Sequence, residues 1–221
     1  MIPRELVDVA VIPGGGTLRL FRRGADWTIL LDDPIVGGDL MNSRQFGSEE
    51  ALAELTCTGR RPGVRVLIGG LGMGFTLRKA LALLPASAEV VVAELVPEVI
   101  GWARTHLASL HGDSLDDPRV TVRQGDVADV LREGRWDAVL LDVDNGPDGL
   151  VRASNDRLYH AGGLAAAGAA LRPGGILAIW SAGPDVHFVG RLKRAGFAVD
   201  EVGVRARGAK GPRHVIWLAR P

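Results

Sequence analysis

What the 221-residue sequence has little of narrows its class before any motif is read. It carries one cysteine, Cys57, so no intrachain disulfide framework is possible, and a lone thiol fits a reducing compartment. Its charge is balanced, 26 Lys+Arg against 26 Asp+Glu, so no global field draws it to nucleic acid or to an anionic membrane. No apolar run approaches the length of a membrane span, and residues 1–8 lack a charged segment followed by an apolar one. Neither a membrane anchor nor a signal peptide is expected, and a cytoplasmic location is. The five histidines, His106, His111, His160, His187 and His214, show no metal-ligand spacing, so no metal site is expected and each reads as structural or surface. What remains is 47% hydrophobic residues, enough for one substantial core and a small appendage.

The chain is organised around Val64-Arg-Val-Leu-Ile-Gly-Gly-Leu-Gly-Met-Gly-Phe-Thr-Leu-Arg78. Its β-branched opening reads as a buried parallel strand, and Leu77, Ala80, Leu81 and Leu84 then recur at helical spacing. Between them Gly70, Gly72 and Gly74 alternate, which lets a ligand lie against backbone with a helix N-terminus facing it. A second apolar run ends in Glu94, placed to take both hydroxyls of a ribose. A dinucleotide fingerprint needs glycine where Phe75 stands. The pattern is G-x-G-x-G, which resembles motif I of the class I AdoMet-dependent transferases. A nucleoside site is expected here, and an NAD-dependent dehydrogenase is disfavoured.

Along the chain, residues 7–33 read as a three-strand antiparallel meander, separated by glycine turns and too small to form a core alone. It is expected to pack on the larger domain, on a dimer partner, or on both. Residues 32–47 read as a glycine-rich loop without period, and Ser48 as the N-cap of a helix over 49–56. The domains are then 1–47, a β meander and loop, and 48–221, the nucleoside-binding domain. Pro97 opens a helix to about Leu107, followed by a polar loop over 111–118. A strand at 120–123 leads to Gly125-Asp126, a helix over 127–132 follows, and a strand at 136–141 ends at Asp142. An alanine-rich helix stops at Arg172-Pro-Gly-Gly175 before a strand at 176–180. A helix over 185–195 and strands at 197–204 and 214–219 finish the chain. Alternating strands and helices imply an α/β, doubly wound, mostly parallel seven-stranded sheet in which one of the last two strands is reversed.

Residues 64–181 also resemble the spermidine synthase family of aminopropyltransferases, which share the class I methyltransferase fold. The resemblance is carried by Ile68-Gly-Gly-Leu-Gly-Met-Gly-Phe-Thr-Leu-Arg78, Glu94 with Pro97-Glu-Val-Ile100, Leu115-Asp-Asp-Pro-Arg-Val120, Gly125-Asp126, residues 137–142, Gly146-Pro147 and Leu171-Arg-Pro-Gly-Gly175. The N-terminal meander and Leu30-Leu-Asp32 are similar to that family's small β domain. It implies that Gly70, Gly72, Met73, Gly74 and Glu94 lie at the donor, that Asp126 serves its adenine end, that Asp142 is the catalytic carboxylate, and that the protein is a homodimer.

Four departures bear on the reaction. Where the family binds the donor's amino group with an aspartate on the glycine turn, the matching residue is Met73. The family's tyrosine-histidine pair before a glutamate appears as Gly47-Ser48 before Glu49. Its D-x-x-D after strand four is shortened to Asp142-Val-Asp144, and a single tyrosine, Tyr159, leaves aromatic walls for a polyamine scarce. Asp142 and Asp144 are the expected base and amine ligand, since a sulfonium is already activated and a catalyst need only orient the acceptor and take its proton. Asp126 reads equally as a helix cap, Ser181 as a turn residue, and residues 205–213 as a solvated hairpin tip.

On these grounds the expectation is an AdoMet-dependent transferase that methylates a small acceptor, an amine among the candidates. Aminopropyl transfer from decarboxylated AdoMet is the alternative, and a non-catalytic nucleoside-binding dimer is a third reading.

Overall fold

Long β-branched runs flanked by glycine turns can bury both faces only inside a parallel sheet covered by helices, and the chain builds that sheet. The computed structural model describes residues 2–32, 38–143, 156–207 and 210–221. Four strands come first: β1 (Glu5–Val11), β2 (Thr17–Arg23), β3 (Asp26–Asp32) and β4 (Gly38–Asn42), antiparallel in that order. After helix α1 (Gly47–Cys57) the larger sheet is laid down by β5 (Arg65–Gly69), β6 (Glu89–Glu94), β7 (Val120–Gln124), β8 (Trp136–Leu141), β9 (Leu171–Ser181), β10 (Ala198–Arg207) and β11 (Lys210–Arg220). Between these strands run α2 (Phe75–Leu83), α3 (Pro97–Arg104), α4 (Ala108–His111), α5 (Val127–Arg132), α6 (Asp156–Tyr159), α7 (Ala161–Ala170) and α8 (Val186–Arg194).

The strand order is β10-β11-β9-β8-β5-β6-β7. The five strands β5–β9 pair in parallel, while β11 runs antiparallel to both β9 and β10 and is the reversed strand the sequence calls for. Because β5 pairs with β6 on one side and with β8 on the other, the chain order reverses at β5, where α/β sheets open a crevice. Register fixes what meets there. Gly69 is opposite Ala93 in β6 and Leu141 in β8, so Gly70, Glu94 and Asp142 emerge at one edge.

The sheet is buried on both faces, by Trp136, Leu177, Phe188 and Trp217 on one and by Val66, Ile68, Leu77 and Leu52 on the other. Each such aliphatic side chain removed from water contributes about 1.5–3 kcal/mol. The N-terminal sheet turns Leu20, Trp27, Ile29 and Leu31 inward, where they pack with Val99, Trp102 and Leu107. The indole N–H of Trp102 donates to Asp8 at 2.7 Å, so this sheet packs on the larger domain.

Three local expectations are corrected. Residues 38–42, read as loop, form β4, because the free edge of β3 recruits them (Thr28 opposite Asn42, Leu31 opposite Gly38). The meander therefore has four strands, not three. Ser48 is not the α1 cap: the helix begins at Gly47 behind Phe46, which makes no side-chain cap bond, and Ser48 is fully buried. The helix from Pro97 ends at Arg104, where Thr105 leaves helical geometry, and α4 starts afresh. Among the described residues, no helix is long and apolar enough to cross a membrane.

Candidate active site

The glycine turn after β5 has no room for side chains. Gly70 sits at φ +90°, and a β-carbon there would overlap the carbonyl oxygen of Asp142, so the turn lies directly against the end of β8. Beside it opens a cleft of about 1030 Å³, its mouth included. Gly70 and Gly72 form part of its floor, Glu94, Gly125 and Asp126 one side, and Glu49, Asp142 and Trp180 the other. The N-terminal sheet closes it with an apolar wall that includes Ile29, Leu31, Leu40 and Met41.

Glu94 is buried, yet each of its carboxylate oxygens is fixed by a backbone N–H, Leu71 at 2.9 Å and Val96 at 2.9 Å. Burial pushes its pKa up, while the surrounding backbone N–H groups pull the other way. A carboxylate held this way keeps lone pairs for two neighbouring hydroxyls, as a ribose presents. Asp126 caps α5 by accepting from the Ala128 N–H at 2.8 Å, and its other oxygen meets Arg157 at 3.3 Å. The capping role weighed from the sequence is thus real, and Asp126 also lines the cleft.

At the far side, Asp142 and Glu49 form a pair. The Thr76 hydroxyl donates to Asp142 Oδ2 at 2.6 Å and lies 3.4 Å from the Glu49 carbonyl, tying α1, α2 and β8 together. Burial pushes Glu49 up to about 7, and the Asp142 charge pushes it further in the same direction. Burial likewise raises Asp142 to about 6, against the pull of the Thr76 hydroxyl. Two carboxyls in this state titrate as a unit and hold a proton at neutral pH more readily than either would alone. They also form a negative pole suited to an ammonium group.

Comparison with known proteins follows the same lines. The chain is 31% identical over 189 residues to a polyamine aminopropyltransferase of Mycobacterium tuberculosis, which spans 80% of this chain and 34% of that protein. A Streptomyces coelicolor protein of the same name, polyamine aminopropyltransferase 1, is 37% identical over 130 residues, 56% of this chain and 23% of that one. In fold, the chain superposes on a spermidine synthase solved with the transition state analogue AdoDATO at TM-score 0.76 and 20% identity, covering 100% of this chain and 73% of the other. The Thermotoga maritima spermidine synthase gives 0.68 at 17% identity, covering 99% and 81%. The chain is thus similar to polyamine aminopropyltransferases in sequence and to spermidine synthases in fold. It spans about a third of the length of the mycobacterial relative, and no family model matches it.

The residues expected from the sequence do not all fall in the cleft. Gly70, Gly72, Glu94, Asp126 and Asp142 all line the cleft. Gly74 stands behind it, at φ +81°, packed on His111. Met73 does not line it: its side chain is buried in the cluster beneath the N-terminal sheet. Asp144 lies outside the described residues. Ser181 donates to the Gly183 carbonyl at 2.8 Å in a turn.

Glu49, Thr76 and Trp180 were not singled out as site residues in the sequence reading. A signal for Glu49 was available, since it follows Gly47-Ser48 where the family keeps its glutamate. Thr76 and Trp180 carry no comparable mark, because they look like ordinary helix and strand residues until folding brings them to the cleft.

Proposed function

We propose that the cleft binds decarboxylated AdoMet and that its aminopropyl group passes to the amine of a small acceptor. The observation that carries this reading is the Glu49–Asp142 pair at one end of a cleft whose described charged residues are all acids: Glu49, Glu94, Asp126 and Asp142. A donor bearing a sulfonium and an ammonium suits that field, whereas the α-carboxylate of AdoMet would meet like charge. The sequence-based preference for methyl transfer rested on Met73 at the turn. That side chain is buried beneath the N-terminal sheet, so in this reading the donor's ammonium is met by the other acids of the cleft.

The bound donor supplies the activated sulfonium carbon. The chain supplies the rest. Gly70 and Gly72 let the nucleoside lie on backbone, Glu94 takes the ribose, and Asp126 takes the adenine edge. Asp142 and Glu49 hold the acceptor's ammonium and accept its proton. The apolar wall from the N-terminal sheet excludes water from the reacting atoms.

Calorimetric binding of both donors, followed by product analysis over a panel of amines, tests the proposal. Tighter binding of the decarboxylated donor, by about tenfold (1.4 kcal/mol), with methylthioadenosine as product, is expected. Tighter AdoMet binding with S-adenosylhomocysteine as product would return the reading to methyl transfer. Binding of neither would sink the nucleoside assignment.

A further inference from the structure

One chain of polar contacts at the site joins the start of α1 to the last strand. Ser48, fully buried in the first turn of α1, donates its hydroxyl to Glu49 Oε2 at 2.6 Å. Its oxygen is 2.8 Å from Nδ1 of His214, which enters from β11, at the opposite end of the sequence. The His214 ring is held edge-on against Trp180, centroids 4.7 Å apart, and Trp180 itself lines the cleft. His214 is only partly buried. The sequence therefore runs from the cleft carboxyl, through a buried hydroxyl, to an imidazole that reaches the surface of the domain.

We propose that His214, acting through Ser48, is the proton outlet of the Glu49–Asp142 pair. The proposal rests on the transferase reading above, because that reaction must dispose of a proton. An ammonium acceptor loses H⁺ to the carboxyl pair, and its nitrogen lone pair then attacks the carbon bound to sulfonium sulfur. The C–N bond forms, the C–S bond breaks with its electrons passing to sulfur, and the products are a secondary ammonium, a neutral thioether and one proton left on the pair. With that proton on Glu49 the hydrogen bonds run Glu49 Oε2–H to Ser48 Oγ, and Ser48 O–H to His214 Nδ1. A concerted shift restores the Glu49 carboxylate and leaves an imidazolium, whose Nε2 proton passes to water. What remains is the arrangement with His214 Nδ1–H donating to Ser48 and Ser48 donating to Glu49.

Among the described residues, the charged groups that act on Glu49 are Asp142 from β8 and Glu50 on its own helix. Lys79 of α2 is engaged by Glu54, and the Arg205 guanidinium of β10 donates to the Gly211 carbonyl at 3.2 Å. Against His214 pack Ser48 and the Trp180 ring, and burial alone lowers its pKa, which favours the neutral ring a relay needs.

The first arm of the test needs no turnover, so it stands apart from the function assigned above. Histidine ¹⁵N spectra of the purified chain, assigned with His214→Gln, report the tautomer of His214 directly. The expected result is an Nδ1–H ring at pH 8 that passes to Nε2–H as the pH falls through about 7, where Glu49 titrates. The change should vanish in Glu49→Gln. A His214 tautomer indifferent to Glu49 overturns the proposal.

The second arm is kinetic, with decarboxylated AdoMet and an amine. His214→Gln keeps a hydrogen-bond donor but cannot carry a proton onward, and is expected to lower kcat about tenfold with KM unchanged. Free imidazole should restore His214→Ala, and should not restore Ser48→Ala. Wild-type kcat in His214→Gln overturns the outlet whatever the spectra show. Should Ser48→Ala melt early, the two His214 variants decide the matter alone.

Discussion

Thr76 Oγ1 donates to Asp142 Oδ2 across 2.6 Å, joining the first turn of α2 to the end of β8. A hydroxyl donor favours the charged form of a carboxyl, and here it opposes the burial that raises Asp142. Thr76→Val keeps the shape and removes the donor. The Asp142 pKa should rise, so the acid limb of the kcat/KM profile moves to higher pH while activity well above pH 8 stays near wild type. The loss of this bond should cost about 1 kcal/mol in stability. A pH–rate profile of the variant with the shift in the opposite direction would remove Asp142 from the ionisation that controls activity.

Asp142 should also be a place where activity costs stability. Its folded pKa, about 6, lies above the unfolded value of 3.8. The native state therefore binds this proton more tightly, a contribution fully present below pH 3.8 and lost as pH rises through about 6. Asp142→Asn removes the buried charge and can still accept from Thr76. It should melt higher than wild type at pH 8, by about 2–4 °C for each kcal/mol recovered, with little gain at pH 4. Turnover should fall by about 10²-fold or more. Unchanged turnover would remove Asp142 from the mechanism.

How much of this was legible in sequence follows from how local each determinant is. The strand before Gly70 and the Pro97 start of α3 are decided by neighbouring residues and are legible in sequence, and the cap at Asp126 is there as the alternative to its favoured adenine role. The β4 strand was not legible, because Gly38-Asp-Leu-Met-Asn42 has no β-branched residue and owes its conformation to the edge of β3. Ser48 carries the chemistry of an N-cap, but its hydroxyl is claimed by Glu49 and by His214, which no local rule links to it. The Glu49–Asp142 pair was hidden for the same reason, since the two acids come within electrostatic reach, bridged by Thr76, only in the folded chain.

Glu94 offers a cleaner separation of binding from chemistry. Its two oxygens accept from Leu71 and Val96, so Glu94→Gln would turn an amide NH₂ against one of those donors. Nucleoside affinity should fall by about 10- to 100-fold, equivalent to 1.4–2.7 kcal/mol, measured by calorimetry. At saturating donor, kcat should stay near wild type. A variant with intact affinity and reduced kcat would place Glu94 in the chemical step and not on the ribose.

Gly74 and His111 make the last test, because the turn that lines the cleft is backed by this ring. Gly74 is left-handed at φ +81°, and a β-carbon there would run into the His111 imidazole. Gly74→Ala should therefore lose about 1–2 kcal/mol to backbone strain and more to the clash. His111→Ala opens space behind the turn, so the double variant should recover the clash component and keep the strain, a coupling of about 0.5–3 kcal/mol in denaturant unfolding. Burial holds the His111 pKa down at about 4, below its ordinary 6.5. The unfolded chain therefore binds the proton more readily, and this ring's contribution, whole above pH 6.5, is lost as pH falls toward 4. Replacing His111 should flatten that part of the stability curve. An unchanged acid limb in His111→Ala, together with strict additivity with Gly74→Ala, would show that the ring does not support the turn.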